Sequence, residues 1–195
     1  MHALIVVDHH DTRSLTHALA KRIAQGVAEA GPAHTCEIAD LHAEGFDPRF
    51  TQADWAVHHR ESPPPADVLA EQARIDRADA LVLVFPVFWW AMPGLLKGWI
   101  DRVFSNGWAF DFDGGTGLEK KLGRLRVHLM GLGGADAGTY ARHGYGAAMK
   151  AQIDHGIFDY CGATVAGSTL LLDSESQDSA LHLQAAHQLG LNLFR

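Results

Sequence analysis

Cysteine is nearly absent from this chain: 195 residues carry only Cys36 and Cys161. Two thiols cannot form a disulfide framework, so the fold must rest on a hydrophobic core, and a reducing compartment is the expected setting. Positive charge is also scarce. Lys and Arg number 16 against 23 Asp and Glu, a net charge of −7 with neutral histidine. That balance excludes broad binding to nucleic acid or anionic membranes, which needs basic surface. No apolar run approaches the ~20 residues of a membrane span, so no membrane insertion is expected. The start, "MHALIVVDHH", lacks the basic flank and small-residue cleavage site of a signal peptide, and a cytoplasmic location follows as the expectation. Neither an HExxH pattern nor zinc-type Cys/His spacing occurs. The 13 histidines are scattered, and the adjacent pairs His9-His10 and His58-His59 cannot share one helix face. No metal site is expected.

What is present is an alternation of buried strands and amphipathic helices. Residues 3–7 (ALIVV), 34–38, 80–85 (ALVLVF), 126–132 and 164–172 read as strands. Between them lie helical patterns. Leu15, Leu19, Ile23 and Val27 recur at four-residue spacing behind a Ser14 N-cap, and Gly31-Pro32 stops that helix. Residues 66–77 and 147–160 read as helices. From Gly94 to about Ser105, Leu95, Leu96, Trp99, Ile100, Val103 and Phe104 fall on one face, with Pro93 suited to the first turn. From Gln177 onward Leu181, Ala185 and Leu189 share helical spacing. Residues 43–65, rich in proline and turn residues, read as a long irregular connection, the kind that serves as lid or interface. Five strand–helix units in a chain of this length predict one domain spanning 1–195. Its class is α/β, a three-layer sandwich around a five-stranded parallel sheet of order 2-1-3-4-5, the flavodoxin-like arrangement.

In such a sheet a ligand sits beyond the carboxyl ends of the strands, where the strand order reverses. Three loops meet there. The first, "DHHDTRSLTHA", places Ser14, Thr16 and free helix-start amides at an anion site, with Arg13 and the histidines nearby. It holds no glycine, so it is neither a Walker loop nor GxGxxG. A plain N-cap would account for Ser14 alone. The second loop, Pro86-Val87-Phe88-Trp89-Trp90, is apolar where turns usually carry Gly, Asn, Asp or Ser. Three aromatics taken alone are more often core plugs, but their position at the switch point favours a flat conjugated ligand, with backbone amides of 87–90 on its edge. The third, Gly131-Leu132-Gly133-Gly134, lets the backbone approach a ligand closely. Convergence of the three carries more weight than any one.

The stretch "FPVFWWAMPGLLKGWIDRVF" closely resembles the hallmark segment of the NAD(P)H:quinone oxidoreductase family, flavodoxin-like flavoenzymes that include bacterial general-stress and drug-modulator proteins and ancillary subunits of potassium efflux systems. Pro86, Trp89, Trp90, Pro93, Leu96, Lys97, Gly98, Trp99, Asp101, Arg102 and Val103 carry the match, and residues 107–112, 122–127 and 156–162 continue it. The resemblance implies a flavin, FAD or FMN with the balance slightly toward FAD, and NAD(P)H as co-substrate. It implies that His9, Ser14, Leu15 and Thr16 hold the flavin phosphate. Pro86, Val87, Phe88, Trp89, Trp90, Leu132, Gly133 and Gly134 would meet the ring. Leu15 and Phe88 depart from the family's usual types, and Leu132 stands where relatives often have a hydroxyl. Tyr140 and His143 are matched to the residues thought to stabilise charge on the reduced flavin, with Tyr145 as a rival. The implied activity is ping-pong, two-electron reduction of quinones or similar electron-poor aromatics. Members are usually homodimers, in which Phe50 or Trp55 could complete the partner's slot. Other classes stay open: a regulatory flavoprotein on a membrane transport system, a flavodoxin-like electron carrier, or a flavin-free scaffold.

Overall fold

The structure is a computed structural model and describes residues 1–112, 117–175 and 179–195. Five parallel strands form the central sheet: β1 (His2–Val7), β2 (Thr35–Asp40), β3 (Ala80–Pro86), β6 (Arg126–Leu132) and β7 (Thr164–Leu171). Their order is β2-β1-β3-β6-β7, which is the expected 2-1-3-4-5. The strand order reverses beside β1, so β1 and β3 run side by side with Val7 paired to Val84. At the far end Pro86 pairs with Leu132 and Leu132 with Leu171.

Strand alternation sorts the side chains into two cores. Ala3, Ile5, Val7, Val82, Val84 and Met130 face helices α1 (Leu15–Ala30) and α7 (Ser179–Asn192). Leu4, Val6, Leu81, Leu83, Phe85 and Leu129 face the opposite layer. That layer contains α3 (Ala66–Asp76), α4 (Gly94–Val103), α5 (Ala137–His143), α6 (Tyr145–Met149) and a π-helix over Lys150–Asp159. Leu19, Ile23 and Val27 of α1 are fully buried, as their spacing predicts. No helix among the described residues is long and apolar enough to cross a membrane. Both thiols are free, and burial pushes Cys161 up to about 11.

Four local readings are corrected. Residues 43–65 are not wholly irregular: Gln52–His58 forms α2, started by a capping box in which Thr51 Oγ1 accepts from Asp54 N and Asp54 Oδ2 accepts from Thr51 N. The 147–160 helix divides, passing from α6 into the wider π-helical turn at Lys150. A small antiparallel hairpin, β4 (Phe110–Phe112) and β5 (Leu118–Lys120), was not foreseen. The last helix buries His182, Ala186 and Gly190, while Leu181 stays exposed. Small residues let α7 pack directly on α1, so Leu181 and Ala185 face outward and, of the expected stripe, Leu189 alone packs against that core. Gln177, where that helix was expected to start, lies outside the described residues.

The 43–65 connection is tied to α4 by Arg102. Its guanidinium donates to Asp54 Oδ1 at 3.0 Å, Asp67 Oδ2 at 2.6 Å and the Asp47 carbonyl at 2.8 Å. Gly98 admits the same connection: a Cβ there would lie 2.4 Å from both Pro48 Cβ and Pro48 O. Two residues of the aromatic hallmark segment therefore anchor a loop, and the ligand crevice is built by others.

Candidate functional site

At the first loop, Ser14 is the N-cap of α1, and its Oγ accepts from His17 N at 3.3 Å. The amides of Leu15 and Thr16, which begin the helix, have no partner among the described residues. They point along the positive end of a 16-residue helix, a ready anion cradle. His9 borders it: its Nδ1 accepts from Asp11 N at 3.0 Å, and its ring stacks on His10 at 4.6 Å. Because Nδ1 accepts, the neutral His9 ring carries its proton on Nε2 and is a donor there. Thr16 is buried, and Leu15 packs against the α1 core; both therefore offer the cradle their amides. Arg13 turns away, exposed and paired with Asp11.

Sequence reading missed the brace beneath this loop. Asp8, buried at the end of β1, accepts from Leu96 N in the first turn of α4 at 2.9 Å and from His42 Nε2 at 2.9 Å. Burial raises its carboxyl above the usual range, against the opposing pull of these bonds. Partners 34 and 88 residues away leave no local signal in the sequence.

At the second loop the chain makes a two-residue reversal. Phe88 N donates to Ala91 O and Ala91 N to Phe88 O, each at 3.1 Å. Between them Trp89 has φ 50 and Trp90 φ 60. Two consecutive positive φ values within a reciprocal pair define a primed hairpin turn, the place where Asn-Gly is preferred. Non-glycine residues in this region cost on the order of 1–3 kcal/mol each and gather at ligand clamps. The turn sends Trp89 into solvent at 93% exposure. Trp90 turns inward and stacks on Tyr145 at 3.7 Å and 10°. Val87 N is taken by Leu132 O at 2.7 Å and Phe88 N by Ala91 O. Of the amides expected to meet a ligand edge, those of Trp89 and Trp90 remain open. Pro86 and Phe88 line a second hollow of about 180 Å³ with Asp8, His9, His10 and His42.

At the third loop Gly133 N donates to Leu171 O at 2.9 Å, and Gly133 O accepts from Ser174 N at 3.1 Å. A Cβ on Gly133 would stand 2.7 Å from the Tyr140 hydroxyl. Leu132 buries its side chain in the α1–α7 core and its carbonyl accepts from Val87 N, so this expected contact does not line the hollow. Val87, Trp89, Trp90, Gly133, Gly134, Ala135 and Tyr140 enclose a hollow of about 140 Å³. The Tyr140 hydroxyl is buried without a hydrogen-bond partner, and burial pushes its phenol upward. Buried hydroxyls are normally paired, so this one marks a place for a ligand acceptor. His143 is exposed at the end of α5 and does not line the hollow; its ring stacks on Tyr145 at 5.2 Å. Larger hollows, about 590 Å³ along β7 and about 500 Å³ beside Pro63, Pro64 and Trp108, lie away from the strand ends where the three loops converge.

The crevice therefore offers an anion cradle at one end. At the other it offers open backbone donors, an unpaired phenol and aromatic walls. Those groups fit a flat heteroaromatic ring with edge acceptors and a phosphate tail, which is the chemistry of a flavin.

Residues 1–190 match the flavodoxin-like fold family, and the chain belongs to it. It is 28% identical over 181 residues to the ribosyldihydronicotinamide dehydrogenase [quinone] of Mus musculus, covering 83% of this chain and 77% of the relative. The solved NAD(P)H:quinone oxidoreductase from Methanothermobacter marburgensis superposes with TM-score 0.87 at 26% identity, over 99% of this chain and 98% of that one. The likeness first carried by residues 85–104 thus extends across the fold. An FMN-dependent NADH-azoreductase from Bacillus anthracis, solved with FMN, matches with TM-score 0.73 over 99% of this chain and 97% of that one. At 17% identity it shares the fold alone. The expected tilt toward FAD finds no support in these relatives.

Proposed function

We propose that this chain is an NAD(P)H-dependent flavoprotein oxidoreductase that reduces quinones or similar electron-poor aromatic compounds. The observation that carries this reading is the unpaired Tyr140 hydroxyl in a crevice walled by Trp90 and open Trp89, Trp90 and Gly134 amides. A bound flavin supplies the two-electron chemistry of accepting and donating hydride. The protein supplies position and electrostatics. The Leu15 and Thr16 amides, with Ser14 and His9, hold the phosphate. The Trp89 and Trp90 amides and Gly134 bind the ring edge, and Gly133 keeps the wall thin. Tyr140 donates its proton in a hydrogen bond to the ring acceptor on which negative charge develops, and in a dry site such a donor counts for more than in water. His143, stacked on Tyr145, holds that ring against Trp90.

One apolar slot with few polar anchors serves nicotinamide and acceptor in turn. Initial-rate plots against both substrates should give parallel lines; intersecting lines would exclude the ping-pong scheme. Phe50 and Trp55 are about half exposed, 49% and 51%, and in a homodimer they would close the partner's slot. A fully active monomer in sedimentation would remove that assignment.

The direct test is an absorption spectrum of purified protein after flavin addition, followed by anaerobic NADH or NADPH. Bleaching within seconds supports the oxidoreductase, and flavin released by heat identifies FMN or FAD. Bound flavin that stays oxidised would point to the regulatory role. No flavin binding would overturn the reading of all three loops.

A further inference from the structure

Beneath the phosphate cradle runs a hydrogen-bonded chain that no phosphate contact by itself requires. His17, in the first turn of α1, is buried. Its Nε2 lies 2.9 Å from Asp40 Oδ2 and its Nδ1 lies 3.0 Å from Ser14 Oγ. Asp40 ends β2, and its other oxygen accepts from Ala43 N at 3.1 Å. Burial works to raise the Asp40 carboxyl, but the His17 bond and backbone donors outweigh it and hold it below the usual range. Asp40 is therefore an anion, and an ionised carboxylate can only accept. His17 Nε2 must be the donor to it.

Proton counting then fixes the other side of the ring. In neutral His17, Nδ1 is bare and must accept, so the Ser14 hydroxyl donates to His17. A serine hydroxyl has one proton. Spent on His17, it is not available to a phosphate. In the imidazolium, Nδ1 carries a proton and donates to Ser14 Oγ, and the hydroxyl is free to rotate outward.

We propose that His17 is the positioning residue of the phosphate cradle: as a cation it frees the Ser14 hydroxyl to donate to a phosphate, and as a neutral ring it withdraws that donor. The inference rests on the flavin reading above, because the phosphate it names is the flavin's. Because the cationic ring leaves the Ser14 hydroxyl free and the neutral ring engages it, phosphate binding is linked to proton uptake on His17 and weakens when that proton is lost. The groups facing His17 favour this assignment. From β2 it meets Asp40, and from its own helix cap, Ser14. From the first loop it meets only the edge of His9, at 6.3 Å, with His10 stacked behind. Asp8 and His42 are already joined to each other at 2.9 Å, and Asp11 to Arg13 at 3.2 Å. His17 is thus the one imidazole of this cluster hydrogen-bonded to a cradle side chain.

The test separates phosphate from ring. Riboflavin, FMN and FAD are titrated against the full chain by flavin-fluorescence quenching from pH 6 to pH 8. The readout is the affinity of the phosphorylated flavin relative to riboflavin, which lacks the phosphate. In the unaltered protein this preference should rise as pH falls, by up to about tenfold, the scale of one hydrogen bond to a charged group. His17→Gln keeps a donor toward Asp40 but cannot titrate, and its preference should lack that rise. Asp40→Asn keeps an acceptor but loses the charge that favours the imidazolium, so its profile should move to lower pH; this variant decides should His17→Gln not fold. The second ionisation of FMN, near pH 6, acts in the opposite direction and equally on all three proteins. Identical pH profiles in the unaltered and variant proteins, with flavin still bound, would overturn the role of His17 alone. Failure of all three flavins to bind at any pH would overturn the flavin reading with it.

Discussion

The two ends of the crevice are built on opposite plans. At the phosphate end, side chains are satisfied by partners near and far: Ser14 by His17 within the first turn, His17 by Asp40, and Asp8 by His42 and the Leu96 amide. The backbone there is relaxed, with Ser14 at φ −64 and ψ 158. At the ring end the working groups are main-chain amides and a phenol left without partners. Two bulky residues also sit at positive φ. A phosphate brings two charges, so beside the open Leu15 and Thr16 amides it can compete for a donor that is already engaged, the Ser14 hydroxyl. A conjugated ring brings only weak edge acceptors, so its donors must stand unpaired before it arrives. The strain at Trp89 and Trp90 belongs to the same plan, since the reversal that carries it leaves both of their amides open.

Gly133→Ala should break the ring end most severely. The new methyl would stand 2.7 Å from Tyr140 Oη and 3.0 Å from Leu172 Cδ2, so FMN and riboflavin affinities should both fall about a hundredfold, in line with clash penalties of a few kcal/mol. Equilibrium titration checks this, and a matching loss of helical circular dichroism would mean that the fold had failed instead. Tyr140→Phe comes next. It should lower kcat about a hundredfold, the low end for loss of a charge-stabilising donor. Flavin-free stability should hold or rise by about 1 kcal/mol, because an unpaired buried hydroxyl is removed. A drop in flavin-free thermal stability would show that the hydroxyl already has a partner. At the phosphate end, Ser14→Ala should cost about 1 kcal/mol of stability as a lost cap. It should weaken FMN binding several-fold while leaving riboflavin binding unchanged, and equal losses for the two ligands would erase the distinction between the ends. The smallest effect is expected at Trp89→Gly, which should stabilise the flavin-free protein by about 1 kcal/mol by relieving positive φ on an L-residue. Urea denaturation reads that gain, and lower turnover should accompany it.

Much of this architecture is legible in the residues themselves. The continuous apolar runs at 3–7 and 80–85 have no partner but a doubly covered parallel strand, and those residues of β1 and β3 are indeed buried. Ser14 before a four-residue leucine rhythm marks α1 because capping and amphipathicity are both local. The three ligand loops follow from strand order alone. By contrast, α2 hides among prolines and announces itself only by Thr51 and Asp54, a capping box with aspartate where glutamate is usual. The primed turn at Phe88–Ala91 carries none of the glycine or asparagine that signals such turns. In α7 the leucine stripe misleads because the seam with α1 selects small side chains, and that preference belongs to the neighbour.

Strand and helix periods, caps and the reversal of strand order act over a few residues, so the chain alone determines the layers, the sheet order and the end at which a ligand is held. Tertiary structure decided which of thirteen histidines reaches Asp40, that Asp8 braces α4, that Arg102 and Gly98 fasten a loop, and that Tyr140 faces the crevice while His143 faces Tyr145. Each of these depends on groups 23 to 88 residues apart meeting within about 3 Å, or on the angle at which one element leaves another. Such separations are set by packing, and no short-range pattern encodes them.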